Sequence, residues 1–263
     1  MKRHEGFVAI AKKGDVDLLF LGDSITDAWR GGAAKPTWEK HFAPLKAANF
    51  GIGGDRTEHV LWRVSNGELE GIKPKLAVLM IGTNNTGSNS AEQIAEGIKA
   101  IVAKLGDSSP QTKVLLLGVF PRGPKAGTPV REKIATINKE IAKLDDGKRV
   151  KYLDIGSKFT KEEGALTKDI MPDFLHLSAR GYEIWGEAIA PTVREMMGKR
   201  TSTIRIVAAC GFARAGSSLS RKRQSRALTP PDTSPTSSHP PSRPTPDPRA
   251  PSWSRPQCGA VSR

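Results

Sequence analysis

The first 200 residues of this 263-residue chain contain no cysteine; both cysteines, Cys210 and Cys258, come later. That excludes a disulfide scaffold, a cysteine-ligated zinc and a cysteine nucleophile from the long first stretch. Nowhere is there a run of about 18 apolar residues, so no membrane span is expected. The opening "MKRHEGFVAIAKKGDVDLLFL" is interrupted by Lys12, Lys13, Asp15 and Asp17, which rules out a signal-like apolar region. As written, the chain reads as cytoplasmic, although a leader upstream of this sequence would be invisible. His4, His41, His59, His176 and His239 show no metal-ligand spacing and H-E-x-x-H is missing, so no metal centre is expected. G-x-S-x-G is also missing, which excludes the usual α/β-hydrolase elbow. G-x-G-x-x-G fails because Arg56 stands where the last glycine belongs, which argues against a dinucleotide site.

The net charge of +14 is unevenly placed. Residues 201–263 hold ten of the 19 prolines, with ten Arg/Lys against two Asp, whereas residues 1–200 carry 31 basic and 25 acidic side chains. The basicity is therefore largely a property of the second stretch and says little about what the first one binds. Residues 201–263 are too rich in Pro, Ser and Arg and too poor in apolar residues to bury a core, and they read as a disordered tail. With Trp253 as their sole aromatic stacking partner apart from Phe212, they give no reason to expect a specific nucleic-acid partner. The expected division is one domain over 1–200 and a basic tail over 201–263.

Within the first stretch, four apolar runs are too continuous for one-sided alternation and predict buried parallel strands. They are "VDLLFLG" (16–22), "AANFGIG" (47–53), "KLAVLMIG" (75–82) and "KVLLLGV" (113–119), with a weaker fifth, "VKYLDIG" (150–156). Segments of helical period separate them: Val60, Leu61 and Val64; Ile94, Ile98, Ile101, Val102 and Leu105; Ile134, Ile137, Ile141 and Leu144. A final helix is expected after Ser178, a suitable N-cap. Such alternation implies a parallel sheet covered on both faces, in which chemistry gathers at the carboxyl ends of the strands.

Strand one ends in "GDSIT" (22–26), with Ser24 at a helix start, where free N–H groups favour negative charge. Ser24 can be a helix cap or a nucleophile. Strand two runs into "NFGIGGD" (49–55), whose glycines let backbone N–H groups approach a ligand or simply form a turn. Strand three ends in "GTNN" (82–85), where Asn84 and Asn85 suit a turn, and where an asparagine amide can also face an oxyanion. Before the final helix, "DFLH" (173–176) places Asp173 and His176 three apart, close enough for a carboxylate to orient an imidazole. Together these are the parts of acyl transfer: a nucleophile, a backbone donor, an amide donor, and a base with its orienting group. Trp29, Trp38 and Trp62 can line a substrate site, but packing of amphipathic helices is the favoured reading.

The four blocks "GDSIT", "NFGIGGD", "GTNN" and "DFLH", in that order, resemble the GDSL-type, or SGNH, hydrolases. More narrowly, residues 49–85 are similar to the catalytic subunits of intracellular platelet-activating-factor acetylhydrolase and their bacterial relatives. The resemblance covers roughly residues 15–198. It implies a flavodoxin-like, three-layer α/β/α sandwich around a five-stranded parallel sheet of order 2-1-3-4-5. It implies Ser24 as nucleophile with His176 and Asp173 completing a triad. The Ser24 and Gly54 N–H groups and the Asn84 amide then form the oxyanion hole, while Gly51 and Gly53 shape the turn and Asp23 supports it. No metal or organic cofactor is required. The expected activity is hydrolysis of short acyl esters, acetate first, from a lipid or an acetylated sugar; a homodimer is compatible with the resemblance. The rival reading is a binding or scaffolding protein that keeps the fold without turnover.

Overall fold

The apolar runs form five strands in the computed structural model of the protein, which describes residues 1–198. They are β1 (Leu18–Gly22), β2 (Ala47–Asn49), β3 (Leu76–Met80), β4 (Lys113–Leu117) and β5 (Val150–Leu153). All neighbours pair in parallel, in the order β2-β1-β3-β4-β5 that the resemblance implies. Leu18 of β1, next to the edge strand β2, lies opposite Ala47 on one side and Leu76 on the other.

Successive strand residues feed two separate cores. Leu19, Leu21, Ala77, Leu79, Val114 and Leu116 enter one, while Leu18, Phe20, Leu76, Val78, Leu115 and Leu117 enter the other. With both faces dry, neither parity of the strand can be polar, which is why the sequence runs are continuous. The first core is covered by α1 (Lys2–Lys13), α4 (Thr57–Ser65), α5 (Ala91–Ser108) and α6 (Pro129–Ala142). The single-turn α2 (Ser24–Asp27), α3 (Lys35–His41) and α7 (Ala179–Met196) lie on the other side, where Ile25, Trp185, Ile189 and Val193 enter the second core. The α5 stripe is fully buried as its spacing predicts, behind a capping box made by Ser90 and Gln93. Ser178 caps α7 by accepting from the Gly181 N–H.

Several expectations need correction. The regular strands are shorter than the apolar runs, most clearly β2: beyond Asn49, Phe50 and Ile52 still donate to the Phe20 and Gly22 carbonyls at 2.8 and 3.2 Å, and the chain then turns at Gly53–Gly54. In α4 the buried positions are Val60, Arg63 and Val64, with Leu61 only half-buried. Leu144 packs on the first core from beyond the end of α6. The segment 2–13, set aside as too charged for a signal, forms α1, with His4, Phe7 and Ala11 on its buried side. Trp29 is wholly buried against Tyr182 and Trp185, and half-buried Trp38 packs on the same core. Trp62 is 47% exposed, tilted on the His4 ring. No helix among the described residues is long and apolar enough to cross a membrane. The expected tail, 201–263, lies outside the described residues.

Candidate active site

At the end of β1 the chain turns through Asp23 into α2. Asp23, not Ser24, is the N-cap: its Oδ1 accepts from the Ile25 N–H at 3.0 Å. Ser24 therefore occupies the first helical position, and its hydroxyl is free to meet the imidazole described below. Asp23 is completely buried, and its Oδ2 has no partner among the described residues. Burial pushes its carboxyl from 3.8 up to about 7, against the pull of the Ile25 N–H and of His176.

A carboxyl whose pKa rises on folding favours the folded state while protonated and loses that contribution as pH climbs. Here the loss begins near the ordinary carboxylate value and is complete once pH passes about 7. It amounts to about 4 kcal/mol. Asp23→Asn keeps the neutral shape, so its unfolding free energy in urea should gain on wild type between pH 5 and pH 8 by about 2–3 kcal/mol. A gap independent of pH would show that Asp23 ionises in the folded protein without penalty.

The base comes from the turn before α7. Asp173 Oδ1 accepts from the Leu175 N–H at 3.0 Å and the His176 N–H at 2.7 Å, while Oδ2 lies 2.7 Å from His176 Nδ1. Phe174, with φ +59°, folds the four residues tightly enough for this (i, i+3) pairing, and the Gly123 N–H holds its carbonyl at 2.8 Å. Burial by itself raises the Asp173 pKa, but the hydrogen bonds from the His176 ring and the two N–H groups outweigh it and hold the carboxyl at about 2. A carboxylate can only accept, so Nδ1 carries the ring proton and Nε2 is left as an acceptor. Ser24 Oγ lies 3.0 Å from that Nε2. Ser24, His176 and Asp173 are thus joined in one chain of hydrogen bonds, with the His176 and Asp173 side chains 47% and 55% exposed.

Facing Ser24 is the turn that follows β2. A Cβ on Gly51 would lie 2.4 Å from the Asp27 backbone nitrogen, so only glycine lets this turn press against α2. Gly53 lies beside Ser24, and Gly54 adopts φ +81°. The Asn84 side chain, from the short 3₁₀ turn Thr83–Asn85, donates from Nδ2 to the Asp55 carbonyl at 2.8 Å. An amide NH₂ has two hydrogens, so one is fixed to the turn and the other remains to give. Asn85 is buried and structural: its Oδ1 accepts from the Thr57 N–H at 3.0 Å.

A buried ionic chain behind this turn escapes sequence reading. Arg63, 4% exposed, donates to Asp55 Oδ2 at 2.9 Å, to Glu68 and to the Phe50 carbonyl at 3.0 Å. Glu68 is bonded in turn to His4 Nδ1 at 3.0 Å. Burial pushes the Asp55 carboxyl up, and Arg63 beside it offsets this in part. The available signal is a cation between Val60 and Val64 on the apolar side of α4, where a charge must be paired.

A serine hydroxyl, an imidazole acceptor and a carboxylate in series can generate an alkoxide-like nucleophile, and the Asn84 amide stands on the turn after β3, bonded to the Asp55 carbonyl. The sequence profile of the GDSL-like Lipase/Acylhydrolase family matches residues 20–184, a span that contains all of these residues. Platelet-activating factor acetylhydrolase IB subunit alpha2 of Rattus norvegicus is 45% identical over 183 residues, 69% of this chain and 78% of that protein. Among solved structures, a GDSL-like lipase from Bacteroides thetaiotaomicron superposes with TM-score 0.60 at 22% identity, over 74% of this chain and 97% of the other. An acetylxylan esterase from Geobacillus stearothermophilus does so with TM-score 0.55 at 17% identity, over 72% and 97%.

Proposed function

Because the chain belongs to the GDSL-like Lipase/Acylhydrolase family, we propose that it is a serine esterase that removes short acyl groups, acetate above all, through an acyl-enzyme intermediate. The observation that carries this reading is the linear contact of Ser24 Oγ, the His176 ring and Asp173, at 3.0 and 2.7 Å. Ser24 Oγ forms a bond to the ester carbonyl carbon as its proton passes to His176 Nε2. Asp173 stays ionised and holds the resulting imidazolium. The carbonyl oxygen becomes an oxyanion, received by the backbone N–H groups of Ser24 and Gly54 and the second amide hydrogen of Asn84. Collapse breaks the bond to the leaving alcohol, which takes the proton from His176. Water, deprotonated by the same ring, then attacks the acyl carbon and releases the acid and Ser24.

Acetyl preference is supported by two relatives of different substrate class, named for platelet-activating factor and for acetylxylan, whose names share only the acetyl group. The exposure of His176 and Asp173 leaves the side from which the alcohol departs open to solvent, which suits large leaving groups of either class. The rival scaffolding reading has no observation in its favour, since every part of the relay is present. The test is hydrolysis of p-nitrophenyl acetate, butyrate and octanoate. We expect kcat/KM to fall with chain length, by about tenfold or more from acetate to octanoate. Equal or better use of octanoate would remove the short-acyl assignment.

A further inference from the structure

Helix α1 lies wholly outside the span that the family profile matches, residues 20–184. Its first turn nevertheless reaches the loop facing Ser24. Arg3 Nη2 donates to Asp27 Oδ1 at 2.5 Å and to the Gly51 carbonyl at 3.0 Å. Asp27 ends the helix that Ser24 begins, and Gly51 opens the turn that carries Gly54. One guanidinium therefore ties the element bearing the nucleophile to the loop opposite it. Arg30 makes a parallel tie, donating to Asp27 Oδ1 at 2.8 Å and to the Gly51 carbonyl at 3.1 Å. Both guanidinium groups and that of Arg63 surround the Phe7 ring of α1, at 5.6, 4.8 and 5.7 Å from its centroid. His4, the next residue of the same turn, closes the buried chain through Glu68 and Arg63 to Asp55, whose carbonyl holds Asn84.

We propose that Arg3 is a positioning residue for the esterase reaction, using α1 to hold the Gly51–Gly54 turn at its working distance from Ser24. The inference rests on the esterase reading above. Arg3 does not touch the reacting atoms; it acts through the Gly54 N–H, a donor whose worth in the transition state depends on placement within fractions of an ångström. The Arg3 side chain is 46% exposed, and an exposed ion pair adds little to folding, so its removal should be read in turnover rather than in stability.

The experiment uses the full chain, with p-nitrophenyl acetate as substrate and Ser24→Ala as control. Arg3→Gln should lower kcat by roughly five- to tenfold with KM within about twofold, and should move the thermal midpoint by only a degree or two. Arg3→Lys, which can reach one acceptor but not fork between two, should recover part of the loss. Asp27→Asn, which also loosens Arg30, should lower kcat at least as much, and the double variant should be no slower than Asp27→Asn alone, because the Arg3 tie is already weakened there. The pH dependence of kcat should be unaltered, since the His176–Asp173 pair is untouched. Full kcat in Arg3→Gln, or independent additive losses in the double variant, would overturn the proposal while leaving the esterase reading intact. A fall in thermal midpoint with kcat retained would also overturn it, by showing a purely structural role. Activity surviving in Ser24→Ala would bring down the esterase reading and this proposal together.

Discussion

Ser24→Ala is expected to lower kcat/KM for p-nitrophenyl acetate by at least about 10³-fold without disturbing the fold. The two halves of that statement have separate causes. In the proposed reaction the loss is large because no other group at the site would form the acyl-enzyme bond: His176 would accept the proton and Asp173 would only orient the ring. The fold survives because Asp23, not Ser24, caps α2, so the Ser24 hydroxyl is bonded to His176 rather than to backbone. The thermal midpoint should stay within a few degrees of wild type, the shift that about 1 kcal/mol causes in a domain of this size. Residual hydrolysis near the wild-type rate would mean that the reaction does not run through this serine.

Asn84→Ala should cost about 10²- to 10³-fold in kcat with little change in KM, the pattern of a donor that matters only once the oxyanion has formed. Its neighbour provides the contrast. Asn85 bonds the Thr57 N–H and the Glu58 carboxylate from a buried position, so Asn85→Ala should lower stability, by about 1–3 kcal/mol for the donor left unpaired. Steady-state kinetics and urea unfolding on both variants separate the two roles. If Asn84→Ala kept full kcat, the oxyanion would have to be held by the backbone N–H groups of Ser24 and Gly54 alone.

The sheet is legible in the sequence because β1, β3 and β4 are buried on both faces, which makes their Leu, Val and Met runs continuous, and because amphipathic helical segments separate them. The layers follow from the strand-helix alternation, whereas the strand order comes from the family resemblance and not from residue pattern. Ser24, a glycine-rich turn, the Asn84–Asn85 pair and the Asp173/His176 pair are legible as a set because each follows a strand, whereas the choice of Gly54 and Asn84 comes from the family resemblance; the structure does join Ser24, His176 and Asp173. What cannot be read is the support. Asp55, Arg63, Glu68 and His4 are charged or polar residues spread over 65 positions. Arg63 meets Asp55 and Glu68 from eight and five residues away and His4 joins from α1, whereas charge patterning along a chain reports neighbours within a turn. For the same reason α1 itself is obscured: its lysines face solvent and its apolar side is narrow, with Phe7 and Ala11 buried.

Ser24 and His176 stand 152 residues apart, and that separation has a meaning for how the domain assembles. The His176–Asp173 pair is local, made by one backbone turn, and can form as soon as that turn does. The Ser24–His176 contact closes a loop of 152 residues, so it is expected to form after the local pair. Contacts that span such loops are entropically late in folding. Turnover by the proposed reaction should therefore report that long closure rather than the local turn. A chain halted before α7 docks would hold the proposed base already paired with Asp173, but away from Ser24.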